Sequence, residues 1–591
     1  MSDRRKTTQG RAGKSAGTGT VYTVSITDLS NLGYGVGRLP ADGDASGASD
    51  AGSGAAGKVI FVRGVVTGDT VETAVIKETA GYLVGRLVRV VTPSPLREPA
   101  QFCTAPEACG GCVFRHLAYT AELESKHRRV QSAFRQAGLA DVRVLPPLST
   151  GRTAGYRNKG MYPVQAGRNG MQAGFYAAKS HRLIPCADCA LQPPAFAGVV
   201  GTVCRFCDRE HIPAYDETTG AGILRHIYLR TTAAGEIMVC LVINADGLPG
   251  GRAAEARLVD CLLAEQPRTV SVLLNINRRN TNVVLGEQYR KLYGSGWIED
   301  TLCGLRFRLS AGSFYQVNRE GAELLYETAA RMAEVRGGES LWDLYCGAGT
   351  IGLSMLSPGR NARPAQVTGV EIVPEAVACA EQNARLNAEA GRIPPDAAHF
   401  FCADAGDAAA LFAAADTGAA PAPDIVIIDP PRKGTTPELI RELARRGVPR
   451  VVYVSCDPET LARDCALFCA SGYAVGEVQP VDMFPRTGHV ETVCLLSKLQ
   501  SKEHIEIEVK MDEMDLTSAE SKATYEEIRE YVLEHTGLKV SHLYIAQVKQ
   551  KYGIIERENY NKPKSEDTRQ PQCPPEKEKA ITEALRHFGM I

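Results

Sequence analysis

The sequence predicts an α/β chain built around a Rossmann-like parallel sheet, preceded by a small β-barrel and a mixed α+β middle domain, and three observations carry that prediction. Between Leu305 and about Leu496 the strand-like runs SLWDLY, QVTGVEI, PDIVIIDP and RVVYVSC alternate with helical segments, the pattern of a sheet covered by helices. From Val21 to about Pro95 the short alternating runs VYTVSI, KVIFVRGVV, VETAVI and LVGRLVRVV are separated by glycine-rich turns, which suits a small antiparallel barrel. The length of 591 residues exceeds what one hydrophobic core serves and divides into roughly three to five domains.

Taken in order, residues 1–20 carry Arg4, Arg5, Lys6, Arg11 and Lys14 with no apolar h-region, so they read as a basic, disordered tail in the cytosol rather than a secretory signal. The barrel is assigned to residues 21–95, with a Gly/Ala/Ser/Asp stretch from Ala41 to Gly57 as a long hairpin loop. Residues 96–300 form the middle domain, in which a cysteine-rich segment precedes the β-rich runs ILRHIYLRTT, EIMVCLVIN and VSVLLNIN. Residues 301–500 form the α/β domain. Residues 501–591 change character, with a helix in TYEEIREYVLEHTGLKV, a second after Ser541 and a Pro/Lys-rich run from Lys562 to Lys577. This extension can hold half of a helix-turn-helix, with Lys549 and Lys551 exposed, but a solvated helix face explains those charges as well.

A composition of 44% hydrophobic and 23% charged residues, with no apolar run near 20 residues, excludes a membrane-spanning helix. Eighteen cysteines in a reducing compartment point to metal or catalytic thiols rather than disulfides. The net charge of -1 gives no global attraction to nucleic acid, so any such contact comes from local basic patches.

In LWDLYCGAGTIGL a strand ends at Asp343 to Tyr345, and a turn with Gly347, Gly349 and Gly352 opens a helix. Glycines there let a ligand approach the backbone. The next strand ends in Glu371, placed to accept from a ribose. A nicotinamide dehydrogenase fits this motif too. The rest of the sheet adds Asp404, a candidate for an adenine amine, and a strand ending in Asp429, Pro430, Pro431 and Arg432, where the prolines make a rigid lip suited to gripping a base.

RVVYVSC delivers Cys456 just before Asp457, an N-cap candidate, and Pro458. A helix N-terminus favours a thiolate through the macrodipole. A lone cysteine is ordinarily a buried structural thiol; this strand-to-helix position, and Glu491 at the start of a late strand in MFPRTGHVETVCLL, favour chemistry. Uracil carbon 5 is a poor nucleophile, and thiolate addition at carbon 6 converts it into an enolate able to attack a methyl sulfonium. The adduct then loses its carbon 5 proton to Glu491 or, as the alternative base, His489.

CTAPEACGGC places Cys103, Cys109 and Cys112 within ten residues, and Cys189 follows downstream. Four such thiolates suit an iron-sulfur cluster or zinc. Cys109/Cys112 with Cys186/Cys189 makes the ordinary zinc pairing, Cys204/Cys207 offers another, and spacing does not choose the metal.

SCDPETLARD, IDPPRKG, DLYCGAGTIGL, SFYQVN and MFPRTGHVET together resemble the RNA uracil-5-methyltransferase family, particularly its 23S ribosomal RNA branch, over roughly residues 20 to 500. The resemblance implies an S-adenosylmethionine-dependent fold, Cys456 as nucleophile, Glu491 as base, and a cofactor pocket of Gln316, Tyr345, Glu371 and Asp429, with Gly347, Gly349, Thr350 and Asp404 alongside. It implies a four-iron, four-sulfur cluster on Cys103, Cys109, Cys112 and Cys189, structural in role and preferred to zinc, leaving Cys186 free. DLSNLGYGVGR and FVRGVVTGDTVETAVIK resemble the TRAM domain, an RNA-binding barrel, presenting Arg38, Arg63 and Lys77 to phosphates and Tyr34 or Tyr82 to a base; a protein-protein role is the alternative. Extruding the target uridine makes Tyr162, Phe175 and Phe314 candidate contacts. The expected protein is a cytoplasmic monomer acting on RNA, 23S ribosomal RNA first. Transfer RNA, an iron-sulfur nicotinamide oxidoreductase and an inactive RNA-binding protein are the alternatives.

Overall fold

The computed structural model describes residues 19–39, 57–98, 103, 105, 108–178, 180–281, 283–407, 412, 415–418, 420–499, 525–552, 573–588 and 590. Nearly all of the residues read as a basic tail, as the 41–57 loop and as the Lys562 to Lys577 run lie outside them. Two compact units emerge, residues 1–500 and 501–591.

Strands β1 (Val21–Leu29), β2 (Tyr34–Arg38), β3 (Val59–Arg63), β4 (Thr70–Glu78) and β5 (Tyr82–Thr92) close into a barrel in the order β1-β2-β3-β5-β4. Alternate positions Val24, Ile26, Ile60, Val62, Val71 and Leu83 fill it, as period-2 patterning requires. The barrel is not wholly antiparallel. β3 and β5 run parallel, because β4 between them reverses the chain at each end.

Helix α1 (Tyr119–Gln136) leads to β6 (Lys159–Gly167), β7 (Gly170–Tyr176), β8 (Leu183–Pro185), α2 (Pro194–Arg209), β9 (Leu224–Thr231), β10 (Ile237–Ile243), α3 (Gly251–Glu265), β11 (Thr269–Ile276) and β12 (Gln288–Gly294). The strands form one sheet, β12-β11-β10-β9-β6-β7-β8. β10 is buried at every position because both faces are covered. Leu229, Val239 and Leu241 pack under α2 and α3, while Tyr228, Met238 and Cys240 join a core with Tyr315, Met332 and Val454 of the following region.

The hairpin β13 (Ile298–Leu302) and β14 (Leu305–Leu309) precedes α4 (Arg319–Ala333), β15 (Ser340–Leu344), α5 (Thr350–Met355), β16 (Gln366–Glu371), α6 (Pro374–Glu389), β17 (Ala398–Cys402), β18 (Ile425–Ile428), α7 (Pro437–Arg445), β19 (Arg450–Ser455), α8 (Pro458–Ala470), β20 (Tyr473–Val481) and β21 (Glu491–Lys498). The sheet order is β17-β16-β15-β18-β19-β21-β20. Five strands are parallel, whereas β21 runs antiparallel to both β19 and β20. That reversal brings the start of β21 level with the carboxyl end of β19, through the Ser455 to Thr492 pairing. The second unit holds α9 (Tyr525–Thr536), α10 (His542–Lys551) and α11 (Pro575–His587), packed through Ile528, Val532, Ile545, Val548, Ile581 and Leu585. Among the described residues no helix is long and apolar enough to cross a membrane.

Candidate active site

The carboxyl ends of β16, β15, β18 and β19 lie side by side, with Leu344 opposite both Val370 and Ile428, and Ile428 opposite Tyr453. Ligands bind at that edge of such sheets. After β15 the chain turns sharply: Tyr345 has φ 64°, Gly347 55° and Gly349 77°. A β-carbon on Gly349 would stand 2.9 Å from the Phe400 ring, so the turn requires glycine there. Glu371 accepts from the backbone N–H of Gly347 at 3.1 Å and of Val373 at 2.9 Å, which fixes its carboxylate beside the turn with lone pairs to spare. Asp404, exposed beyond β17, accepts from Gly406 N–H at 2.8 Å. Tyr345 Oη lies 3.3 Å from Thr435 Oγ1, and buried Thr350 pairs with Tyr326 Oη at 3.0 Å. Gln316 lies in the loop before α4, where its carbonyl accepts from Asn158 Nδ2 at 2.9 Å.

The other half of the site comes from the next two strand ends. Cys456 leaves β19, and Asp457 caps α8 by accepting from Thr460 N–H at 3.0 Å, with Pro458 in the first turn. The lip after β18 is tied to that helix: Thr460 Oγ1 donates to Arg432 O at 3.1 Å and Arg463 Nη2 to Lys433 O at 2.9 Å. Gly434 has φ 81°, and a β-carbon there would meet Asp464 Oδ2 at 2.4 Å. Asp464 is buried and accepts from Tyr453 Oη at 2.6 Å and Thr435 N–H at 3.1 Å, so it has little room to yield.

Cys456, Glu491, Asp429 and Arg432 form one electrostatic group. Burial pushes the Glu491 carboxyl up to about 8, Asp429 adds to the rise and Arg432 opposes it. Burial alone raises Asp429 to about 7. Burial, Glu491 and Asp429 also raise the Cys456 thiol, while Arg432 works the other way by charge and hydrogen bond. Against the helix N-terminus, which was expected to favour the thiolate, stand desolvation and two carboxylates, which raise the thiol. Arg432, read from the sequence only as part of a rigid lip, is the cation that favours deprotonation of both groups. His489 lies 3.3 Å from Arg432 through Nδ1, and partial desolvation of the ring and then Arg432 push its pKa down.

Helix α1, not singled out by the sequence, supplies further charges to the site. Lys126 is buried and donates to Glu122 and to Asp482, each at 2.7 Å, and Tyr119 Oη donates to Asp482 Oδ2 at 2.7 Å. Arg129 donates to both Glu459 oxygens at 3.0 and 2.7 Å and to Gly488 O at 3.0 Å. One side chain thereby joins the helix after Cys456 to the loop before Glu491.

Cys103, Cys109, Cys112, Cys186 and Cys189 line a single cavity of about 70 Å³, yet among the described residues no group of three or more His, Cys, Asp or Glu side chains stands in metal-holding positions. Cys204 and Cys207 lie on α2, packed against the middle-domain core. Of the candidate RNA contacts, Tyr162 is corrected: it is 0% exposed and packs on Phe175 with ring centroids 5.0 Å apart. Phe314 is 64% exposed.

Two family models match the chain: TRAM domain over residues 16–88 and tRNA (Uracil-5-)-methyltransferase over residues 224–499. An uncharacterized RNA methyltransferase of Halalkalibacterium halodurans is 35% identical over 478 residues, 80% of this chain and 96% of that one. Another from Caldanaerobacter subterraneus is 35% identical over 483 residues, 81% and 99% of the two chains. Among solved structures, Pyrococcus abyssi tRNA (uracil-54, C5)-methyltransferase in complex with S-adenosyl-L-homocysteine matches with TM-score 0.61 and 25% identity, covering 80% of this chain and 99% of that one. Barrel, sheet and near full-length relatives agree, and the chain belongs to the TRAM-containing RNA uracil-5-methyltransferase family of class I S-adenosylmethionine-dependent enzymes.

Proposed function

We propose that the protein methylates carbon 5 of a uridine in 23S ribosomal RNA through a covalent cysteine adduct. The observation that carries the reading is the convergence of Cys456, Glu491, Asp429 and Arg432 beside the glycine turn. The turn, Gln316, Tyr345, Gly347, Gly349, Thr350, Glu371, Asp404 and Asp429 are the residues to hold S-adenosylmethionine, whose adenosine needs close backbone approach and carboxylate acceptors. Bound there, it supplies an electrophilic methyl group.

Cys456, deprotonated with help from Arg432, forms a bond from Sγ to carbon 6 and moves the ring's electron pair onto carbon 5 as an enolate. Once carbon 5 carries the methyl group, the Glu491 carboxylate takes its proton. The pair left in the C–H bond restores the 5,6 double bond and expels the Cys456 thiolate.

Cys103, Cys109, Cys112 and Cys189 are the proposed ligands of a structural four-iron, four-sulfur cluster, with zinc second. Support comes from their shared cavity and from the buried Tyr162 hydroxyl near Cys189 and Cys186, which has no partner. Iron and acid-labile sulfide in anaerobically purified protein, lost in Cys112→Ser and kept in Cys186→Ser, check that assignment. The protein is read as a cytoplasmic monomer. A transfer RNA substrate is the second reading, favoured because the matched Pyrococcus enzyme acts on tRNA.

Incubation with 5-fluorouridine-substituted 23S ribosomal RNA fragments or transfer RNA tests both, since fluorine cannot leave as a proton. A denaturation-resistant adduct with the ribosomal RNA, dependent on S-adenosylmethionine and absent in Cys456→Ala, supports the proposal. An adduct with transfer RNA alone moves the substrate, and none with either rejects the covalent mechanism.

A further inference from the structure

We propose that Lys159, backed by Arg230 and Arg157, is a binding site for a backbone phosphate of the RNA, beside the loop that carries Gln316; this rests on the RNA methylation reading above. Lys159 opens β6 directly opposite Arg230 of β9, so the two side chains rise from one face of the sheet. That face is turned toward residues 310–318. Arg230 Nη2 donates to Ser313 O at 2.5 Å and Nε to Tyr228 Oη at 2.9 Å. Asn158, next to Lys159, donates through its backbone N–H to Val317 O at 2.7 Å.

The charges on this face are not balanced. Arg230 is 1% exposed, and its Nη1 is buried with no partner, as is Arg157 Nε. Among the described residues no carboxylate forms an ion pair with Lys159, Arg157 or Arg230, and the charges that act on Lys159 are the two arginines alone. Burial, Arg230 and then Arg157 push the Lys159 ammonium down to about 8. Buried cations are ordinarily paired; buried Arg230 and half-buried Lys159 face each other with no carboxylate between them, while Arg157 also lines the cysteine cavity, so the pair describes a place prepared for an anion from outside.

The surroundings select the anion. Met161, two residues along the same face, is 38% exposed, Tyr289 is 42% and Phe314 is 64% exposed. Apolar and aromatic surfaces beside cations form the platform on which single-stranded nucleic acid lies, bases against rings and phosphates against charge. Arg230 is enclosed and acts by its field and by holding the Ser313 loop. Lys159 is half-buried and makes the contact.

Full-length wild type, Lys159→Gln and Lys159→Arg are compared by filter binding to 23S ribosomal RNA fragments and transfer RNA transcripts across a salt series, with S-adenosylhomocysteine affinity measured in parallel. Lys159→Gln should weaken RNA binding about tenfold at roughly 150 mM salt and flatten the log Kd against log salt slope by about one. Lys159→Arg should restore both, and S-adenosylhomocysteine affinity should not change. An unchanged slope in Lys159→Gln, or a loss shared with S-adenosylhomocysteine, overturns the site. A flattened slope in a protein whose wild type methylates neither RNA leaves the phosphate site standing and rejects the proposed activity instead.

Discussion

Arg432→Gln should move the acid limb of the pH–rate profile toward higher pH. In the proposed mechanism both groups must lose a proton, Cys456 to add and Glu491 to abstract, and Arg432 lowers the pKa of each. Removing a positive neighbour raises both values, so at a given pH less of the enzyme is competent. Two unit charges at hydrogen-bond range interact by about 4 kcal/mol at an effective dielectric of 20. Cys456 is half-buried and Arg432 exposed, so solvent screening cuts that to about 1–2 kcal/mol, or roughly one pH unit. With two groups displaced, kcat/KM at neutral pH should fall about 10- to 100-fold and recover as pH rises. The assay is transfer of labelled methyl from S-adenosylmethionine to RNA between pH 6 and pH 10, for wild type, Arg432→Gln and Arg432→Lys. If Arg432→Gln loses the same factor at every pH, with its limb where the wild type has it, the arginine acts on binding alone and the electrostatic reasoning is refuted.

Glu491→Gln should accumulate the adduct without turnover and also stabilise the fold. The folded carboxyl sits near 8 against an ordinary 4.5, so the folded state holds the extra proton and wild-type stability falls as pH rises from about 4.5 to 8. Glutamine removes that loss, on the order of 3–5 kcal/mol, read as the difference in thermal midpoint between pH 5 and pH 8.5. Gly434→Ala should cost about 3 kcal/mol or more, from a positive φ and contact with buried Asp464, and abolish methylation; urea unfolding and initial rates check it. Lys126→Met strands Glu122 and Asp482 in the interior and should cost about 3–5 kcal/mol. Part of that loss should be recovered at lower pH, where Glu122, pushed up to about 7 by burial, is neutral; denaturation midpoints at pH 6 and pH 8 would show it.

The parts of this chain legible in sequence were those set by short-range rules. Period-2 runs located the barrel strands, glycines with positive φ located the turn after β15, and a strand ending in SCDP located Cys456 at the head of α8. Glu491 was placed at a strand start, and β21 begins there. What stayed hidden depended on distant partners. The antiparallel entry of β21 between β19 and β20 has no local signature, and neither does the burial that decides whether Cys456 rests as thiol or thiolate. Arg129 and Lys126 carried no signal in the sequence because Glu459, Gly488 and Asp482, which they bind, lie more than 300 positions away. Tyr162 was expected as an RNA contact because its burial is set by packing in the sheet, where its ring lies against Phe175 of the neighbouring strand.

The clamp between α1 and the loop before Glu491 bears on how the enzyme comes into being on the ribosome. Tyr119, Lys126 and Arg129 are made early, and Asp482 and Gly488 some 360 residues later. At roughly 5–20 residues per second of synthesis, α1 waits tens of seconds before the segment that carries Asp482, the second carboxylate on Lys126, exists. Closing so long a loop is entropically slow, so the Glu491 carboxylate, the base of the proposed mechanism, is among the last features to settle. A nascent or truncated chain with a folded cofactor turn and a finished Cys456 therefore still lacks an oriented base. Methyl transfer is confined in this way to chains that have been completed through the final strand pair.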